Sequence, residues 1–195
     1  MIGVPPVDVL VVFESCFSNT QRIAESVADG LKGQGAGVTL LEAAERIWPL
    51  EGVDLLVAGA PVHHRGLPNR LSRALAATQG ATPKAFGLAE WLEGMPQWQG
   101  GQAATFDCAR GNTFVHGSAL APIARRLQRR GVPVVSDARF LVGVMEGPAL
   151  PEHLDQARQW GAELAAQGGK TGETAQFWIP LSQKPNSPHG SAGPR

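Results

Sequence analysis

The chain has 195 residues, of which 43% are hydrophobic, and 17 basic side chains balance 17 acidic ones. This length fits one domain of about 165 residues and a tail, given the usual range of about 100–200 residues per domain. The balanced charge disfavours a nucleic-acid or anionic-membrane surface, and no apolar run reaches the roughly 18 residues of a membrane helix.

The start of the chain and its cysteines indicate the compartment. Residues 1–6 show no basic segment before an apolar one, so we expect no secretory signal and a cytoplasmic protein. Cys16 and Cys108 are too few for a disulfide framework, and free thiols are predicted, with a bridge between them as the alternative. No metal is predicted, because His63 and His64 are adjacent and would point apart.

Apolar runs and helical patterns alternate along the chain. The predicted strands cover residues 9–13, 38–41, 53–58, 102–106 and 132–135, the last interrupted at 136–138 before a further run at 140–144. The predicted helices follow residue 20, cover 67–77 and 87–92, lie around 120–127, and cover 151–166.

Five strands alternating with helices predict an α/β fold with a doubly wound parallel sheet, because right-handed crossovers place helices on both faces. The polar loops after strands 1, 3 and 4 would then meet at the carboxyl edge of the sheet, where ligands bind. We expect a domain over residues 1–167 and a Gly/Pro/Ser-rich, mostly irregular tail over 168–195. Its apolar island, 175–181, either docks on the domain or a second subunit or stays disordered.

The first polar loop, residues 14–20, leads into a helix with an apolar stripe of Ile23, Val27 and Leu31. A helix N-terminus leaves backbone N–H groups unpaired and carries a partial positive charge. The loop adds Ser, Asn and Thr side chains as further donors. This combination predicts a phosphate site.

These residues resemble the flavodoxin family. Residues 11–24 are similar to its signature, a hydrophobic strand, S/T-x-x-G-N-T and a helix, and residues 59–63 resemble its second flavin loop. Residues 106–108 occupy the place of the third loop. Over residues 7–166, the resemblance implies a flavodoxin-like three-layer α/β/α fold with a five-stranded parallel sheet in the order 2-1-3-4-5. It also implies FMN as cofactor and a role in electron transfer.

The resemblance implies that the first loop wraps the FMN phosphate and that the other two flank the isoalloxazine ring. It assigns no catalytic residue, and it leaves open whether the protein is an electron carrier or an FMN-dependent oxidoreductase. The redox partner is a protein or a small-molecule acceptor, and the protein is a monomer or a homodimer. The implied cofactor-binding residues are Ser15, Cys16, Phe17, Ser18, Asn19, Thr20, Pro61, Val62, His63, His64, Arg65, Gly66, Asp107, Cys108, Ala109, Arg110, Gly111 and Asn112.

The chain departs from the family pattern in its loops. Ser18 stands where the family normally carries Gly, and Val62 where it carries Thr. If the backbone at Ser18 requires a positive φ, serine costs free energy that glycine would not. The chain has no Tyr, and no Trp lies in the three loops. The rings near the expected flavin site are those of His63, His64, Phe106 and Phe114.

The loops carry basic rather than acidic side chains: His63, His64, Arg65 and Arg110. Cations stabilise a reduced, anionic flavin by about 1–4 kcal/mol for each charge about 4 Å away. We therefore hypothesise a flavin that is less reducing than that of a typical flavodoxin.

Two other functions fit parts of the same sequence. The spacing of Cys16 and Arg22, C-x5-R after a strand, is similar to that of low-molecular-weight protein tyrosine phosphatases, where a thiolate attacks phosphorus. The second and third loops favour the flavin instead. The other alternative is a binding module that keeps the flavodoxin-like fold without a flavin, because fold does not fix function.

Overall fold

The computed structural model describes residues 6–111, 117–142 and 151–168. Strands and helices alternate, as the sequence predicts. The elements are β1 Asp8–Phe13, α1 Asn19–Gly33, β2 Gly37–Glu42, a 3₁₀ turn Ala43–Glu45, β3 Leu55–Pro61, α2 Arg70–Thr78, α3 Leu88–Gly94, β4 Gln102–Ala109, α4 Leu120–Arg129, β5 Val134–Leu141 and α5 Pro151–Gly168.

The five strands form one parallel sheet in the order β2-β1-β3-β4-β5. Helices α1 and α5 cover one face of the sheet, and α3 and α4 pack on the other. This three-layer α/β/α arrangement confirms the predicted fold class and strand order. The order reverses between β1 and β3, so the loops after these two strands diverge and leave a crevice at the carboxyl edge.

The central strand β1 shows why its sequence is almost continuously apolar. Val9, Val11 and Phe13 pack towards α1 and α5, whereas Leu10 and Val12 pack into the core on the other face. A parallel strand buried on both faces needs apolar side chains at every position.

Two glycines bring α1 and α5 close together. A Cβ added at Gly30 would overlap the backbone carbonyl of Arg158, and one added at Gly161 would overlap the carbonyl of Val27. The helices therefore pack backbone to backbone at this crossing. This contact supports the layer beneath the first loop, because α1 begins at that loop.

The structure corrects the predicted end of the sheet. The interruption at residues 136–138 is wrong, because β5 runs unbroken from Val134 to Leu141. The irregularity is a bulge at Val135, since Ala103 and Ala104 pair with Val134 and Ser136. Buried Ser136 is tolerated inside the strand because the Trp160 indole donates to its hydroxyl at 3.2 Å.

Three other boundaries also differ from the predicted ones. β4 continues to Ala109 instead of ending at residue 106, because Asp107 to Ala109 pair with β5. β3 begins at Leu55 rather than at residue 53. Helix α2 begins at Arg70 rather than at residue 67, since the Asn69 side chain caps it by accepting from the Ser72 amide at 2.9 Å.

No helix in the described ranges is long and apolar enough to cross a membrane. The predicted tail from residue 169 onwards, with its apolar island, lies outside the described residues, as do residues 112–116.

Candidate functional site

A pocket opens at the carboxyl edge of the sheet, where the loops after β1, β3 and β4 meet. About 370 Å³ of space, part of it open solvent, lies between its walls and mouth. Its walls are mostly apolar, with a few polar groups. The lining residues are Cys16, Phe17, Asn19, Thr20, Pro61, Val62, His63, Cys108, Arg110 and Val142.

Helix α1 begins at the floor of this crevice without a side-chain cap. Ser18 is its N-cap residue, yet the serine hydroxyl makes no cap hydrogen bond, and the first turn holds no acidic residue. The Ser18 carbonyl accepts the first helical bond from the Arg22 amide at 3.0 Å. No carboxylate of the first helical turn therefore neutralises this positive helix end, which suits an anion.

Ser18 adopts a left-handed backbone conformation, with φ 66° and ψ −11°. The condition stated for this position is met, because the loop holds Ser18 at a positive φ. An L side chain in this region costs roughly 1–2 kcal/mol.

Two hydroxyls of the first loop are buried, and they differ in their partners. The Ser15 hydroxyl has no hydrogen-bond partner among the described residues, although Ser15 is only 4% exposed. The Thr20 hydroxyl bonds to the Cys108 thiol. A buried hydroxyl without a partner costs about 1–3 kcal/mol. An anion bound at the loop would supply the acceptor that Ser15 lacks.

Buried charges support the first loop from below. Glu14 directly follows β1 and is 1% exposed; its carboxylate accepts from the Leu88 amide at 2.8 Å and from Arg73 Nη1 at 3.4 Å. Arg73 also pairs with Glu90 at 2.5 Å. Burial raises the pKa of Glu14, and the Leu88 amide and Arg73 oppose that rise.

Lys84 holds the other side of the loop. Its ammonium donates to the Ser15 carbonyl at 2.8 Å and pairs with Glu42 at the end of β2. The first loop is therefore anchored by two distant side chains, Arg73 and Lys84, and by the Leu88 backbone amide.

The second loop is a tight hairpin with a strained tip. The amide of His63 donates to the carbonyl of Gly66 at 2.8 Å, and the Gly66 amide donates back at 2.9 Å. The two residues between them, His64 and Arg65, both have positive φ, 44° and 70°. Such a turn normally carries Asn-Gly, and each side chain held in this region costs about 1–3 kcal/mol.

The third loop begins inside the sheet. Asp107 is fully buried, and its carboxylate accepts from Arg139, the Ser118 hydroxyl and the Ala119 amide. The Cys108 carbonyl accepts from the Val62 amide at 2.9 Å, which joins the second and third loops.

Aromatic rings reach the pocket from two loops. The half-buried rings of Phe17 and His63 line it. Phe106 does not, because it fills the space beside Gly59 and packs edge-on against Trp160 with ring centres 6.3 Å apart. His64 is exposed on the hairpin tip. Phe114 lies outside the described residues.

This chain resembles known proteins in its structure and not in its sequence. The chain matches no protein-family profile and no curated protein sequence. Solved structures do match: Flavodoxin 1 from Bacillus cereus has a TM-score of 0.60 and 18% identity, covering 82% of this chain and 97% of that one. A flavodoxin from Streptococcus pneumoniae TIGR4 has a TM-score of 0.56 and 21% identity, covering 83% and 99%.

The chain has a flavodoxin-like fold. Rubredoxin oxygen:oxidoreductase from Desulfovibrio gigas contains a similar unit, with a TM-score of 0.57 and 15% identity over 85% of this chain. The chain covers 37% of that protein's length.

The flavodoxin-like fold brings half of the predicted site residues to one pocket. Nine of the ten lining residues belong to the predicted set; the tenth, Val142, directly follows β5. Val142 could have been predicted, because β5 lies next to β4 and its carboxyl end reaches the same edge of the sheet as the three loops. The predicted residues outside the lining are Ser15, Ser18, His64, Arg65, Gly66, Asp107, Ala109 and Gly111, and Asn112 lies outside the described residues.

The phosphatase chemistry lacks its geometry in this flavodoxin-like fold. Burial, with the nearby Glu14 carboxylate, raises the pKa of Cys16 to about 11, so the thiol stays protonated at neutral pH. Arg22 is exposed on α1 and does not line the pocket. Both cysteines are free thiols, as predicted.

Alkylation should show that the Cys16 thiol is unreactive. Compared with an unfolded thiol of pKa 9.0, we expect about hundredfold slower reaction with iodoacetamide at pH 8, rising with pH towards about 11. The variant Cys16→Ser reports the background from Cys108, whose pKa of about 12 makes it slower still. Rapid alkylation at pH 6, lost in Cys16→Ser, would restore Cys16 as a nucleophile.

Replacing Ser18 with glycine should stabilise the fold. The change removes backbone strain of about 1–2 kcal/mol at the left-handed residue. Glycine also gives the unfolded chain more conformational entropy, which destabilises the fold by about 0.5–1 kcal/mol. The free energy of unfolding, measured in urea, should therefore rise by about 0.5–1 kcal/mol. Ser26→Gly, within the same helix, is the matched control and should destabilise by about 0.5 kcal/mol. Equal destabilisation by both variants would contradict the strain at Ser18.

Proposed function

We propose that this protein binds FMN at the three-loop pocket and acts in electron transfer. The start of α1, where Ser18 makes no side-chain cap, and the buried Ser15 hydroxyl, which has no partner within the described part of the chain, support the proposal most strongly. Both features stabilise an anion held by several hydrogen-bond donors, which is the chemistry of a phosphate monoester.

The residues divide into two groups around the cofactor. Ser15, Ser18, Asn19 and Thr20 would hold the phosphate through backbone amides and hydroxyls. Phe17, Pro61, Val62 and His63 would enclose the ring, and Arg110 would stand beside it. FMN supplies one- and two-electron redox chemistry when bound.

The charges of the pocket support a flavin that is less reducing than that of a typical flavodoxin. Burial lowers the pKa of His63, so its imidazole is neutral at pH 7 and offers a hydrogen bond but no charge. Arg110 is then the permanent cation among the lining residues. A cation at the ring favours the reduced, anionic form of the cofactor.

The acceptor of the electrons is a redox protein or a small molecule that reaches the open pocket mouth. The two free thiols support a reducing compartment, so we place the protein in the cytoplasm. A monomer would suffice for electron transfer, and a homodimer would cover part of the mouth.

A flavin titration with a redox cycle tests this function. Adding FMN to the flavin-free protein should shift the visible absorption bands and saturate at one FMN per chain. The loaded protein should be reduced by dithionite and reoxidised by ferricyanide, with free FMN at the same concentration as control. Unchanged flavin bands throughout the titration would refute FMN binding and favour the flavin-free binding module.

A further inference from the structure

Asp107 has no direct role in the pocket, yet it is the most heavily hydrogen-bonded carboxylate among the described residues. It is 0% exposed and lies in β4 beside the third loop. Arg139 of β5 donates to both of its oxygens, with Nε at 2.9 Å and Nη2 at 2.8 Å. A buried carboxylate with this many partners fixes the groups around it.

The other partners of Asp107 lie at the start of α4. The Ser118 hydroxyl donates to Asp107 Oδ2 at 2.8 Å, and the Ala119 amide donates to the same oxygen at 2.9 Å. Arg139 Nη2 also donates to the Gly117 carbonyl at 2.9 Å. One ion pair therefore fixes three successive residues, 117–119, at the end of the third loop.

Two of those residues, Gly117 and Ser118, contact the strained hairpin of the second loop. The Ser118 amide donates to the Arg65 carbonyl at 3.2 Å. Gly117, with φ +72°, packs so closely that an added Cβ would overlap the Arg65 backbone. Arg65 is one of the two hairpin residues with positive φ. Strained turns persist where surrounding contacts hold them, and residues 117–118 provide such contacts.

We propose that Asp107 is a positioning residue, which holds the His64–Arg65 turn through Ser118 and Gly117 and thereby sets the place of His63 at the pocket. This role for the pocket rests on the proposed FMN function; the hold on the turn does not. The carboxylate acts through two loops that are distant in sequence but adjacent at the carboxyl edge of the sheet.

Hydrogen exchange in the flavin-free protein tests the hold directly. The Gly66 amide closes the turn by donating to the His63 carbonyl. In Asp107→Asn, the Gly66 amide should exchange at least about tenfold faster, while the amide of Val11 in β1 changes less. Asp155→Asn, which breaks an exposed ion pair with Arg158, is the matched control and should leave Gly66 unchanged.

A second substitution separates positioning from general weakening. Replacing His64 with Asn and Arg65 with Gly gives the sequence that this turn prefers. In the Asp107→Asn background, this pair should restore slow exchange at Gly66. If Asp107→Asn does not fold, Ser118→Ala gives the same measurement, with an expected rise of about threefold.

The outcomes distinguish the inference from the function. Unchanged exchange at Gly66, an equal rise at Val11, or no rescue by the turn pair would overturn the role of Asp107. With FMN, Asp107→Asn should weaken binding about tenfold and the turn pair should restore it, by fluorescence titration. If the wild-type protein binds no FMN, the proposed function fails, and the exchange result still decides the hold on the turn.

Discussion

Replacing Arg73 with methionine should lower the free energy of unfolding by about 3–5 kcal/mol, because it leaves a buried carboxylate without its cation. The side chains of Arg73 and Glu14 are each 1% exposed, and Arg73 also pairs with Glu90. The cost arises mainly at Glu14, which is almost completely shielded from solvent. Urea unfolding followed by circular dichroism measures it.

Two further variants show whether the unpaired charge causes this loss. Adding Glu14→Gln to Arg73→Met should recover about 1–2 kcal/mol, because a neutral amide is less costly to bury than a lone carboxylate. Arg126→Met, which breaks the exposed pair with Glu93, is the matched control and should cost less than about 1 kcal/mol. A loss below about 1 kcal/mol in Arg73→Met would show that the buried network contributes little.

Reversing the charge of Arg110 should lower the midpoint potential of the bound flavin by about 50–100 mV. Arg110 lines the pocket but is exposed to solvent. Solvent screening weakens its interaction with the flavin, so each unit of charge contributes about 1 kcal/mol. Arg110→Glu changes the charge by two units, so the free energy of flavin reduction changes by about 2 kcal/mol. For a one-electron step, about 1.4 kcal/mol corresponds to about 59 mV, which gives the expected shift in potential. Spectroelectrochemical titration of the FMN form measures the shift.

Arg129→Glu makes the same change in net charge on the exposed side of α4 and is the matched control. It should move the potential by less than about 10 mV, since distant exposed charges are screened. Equal shifts in both variants, or none in Arg110→Glu, would remove Arg110 as the cause of a less reducing flavin.

The sequence was sufficient for the fold and for the position of the pocket. Buried parallel strands such as β3 read as apolar runs, and polar segments follow them at the carboxyl edge, so periodicity gives the succession of strands and helices along the chain. The order of the strands in the sheet was implied by the flavodoxin resemblance. The first loop also carries a local signature, because an anion site at a helix start uses neighbouring residues. Such features depend on residues that are neighbours in the sequence, so the sequence alone predicts them.

The buried charges could not be predicted in the same way. Helix α2 reads as apolar through Leu71 and Leu75, yet Leu71 is 81% exposed and Arg73 faces the protein. Its orientation depends on Glu14 and Glu90, which lie far away in the sequence. Asp107 was expected in a loop for the same reason, because its partner Arg139 lies 32 residues further on.

The strain in the second loop was also invisible in the sequence. Neither His64 nor Arg65 is a residue that a two-residue turn prefers, so no turn signal marks the hairpin. The turn exists because contacts from residues 117–118 hold it. Ser18 differs, since its departure from the family pattern already pointed to a positive φ.

The most direct test of FMN binding through the first loop compares FMN with riboflavin, which lacks the phosphate. Isothermal titration of the flavin-free protein should show FMN binding at least about a hundredfold more tightly, because charge-assisted hydrogen bonds contribute about 1.5–3 kcal/mol each. Ser15→Ala should weaken FMN about tenfold and leave riboflavin unchanged. Equal affinities for the two flavins, or no binding of either, would contradict a phosphate site at the start of α1.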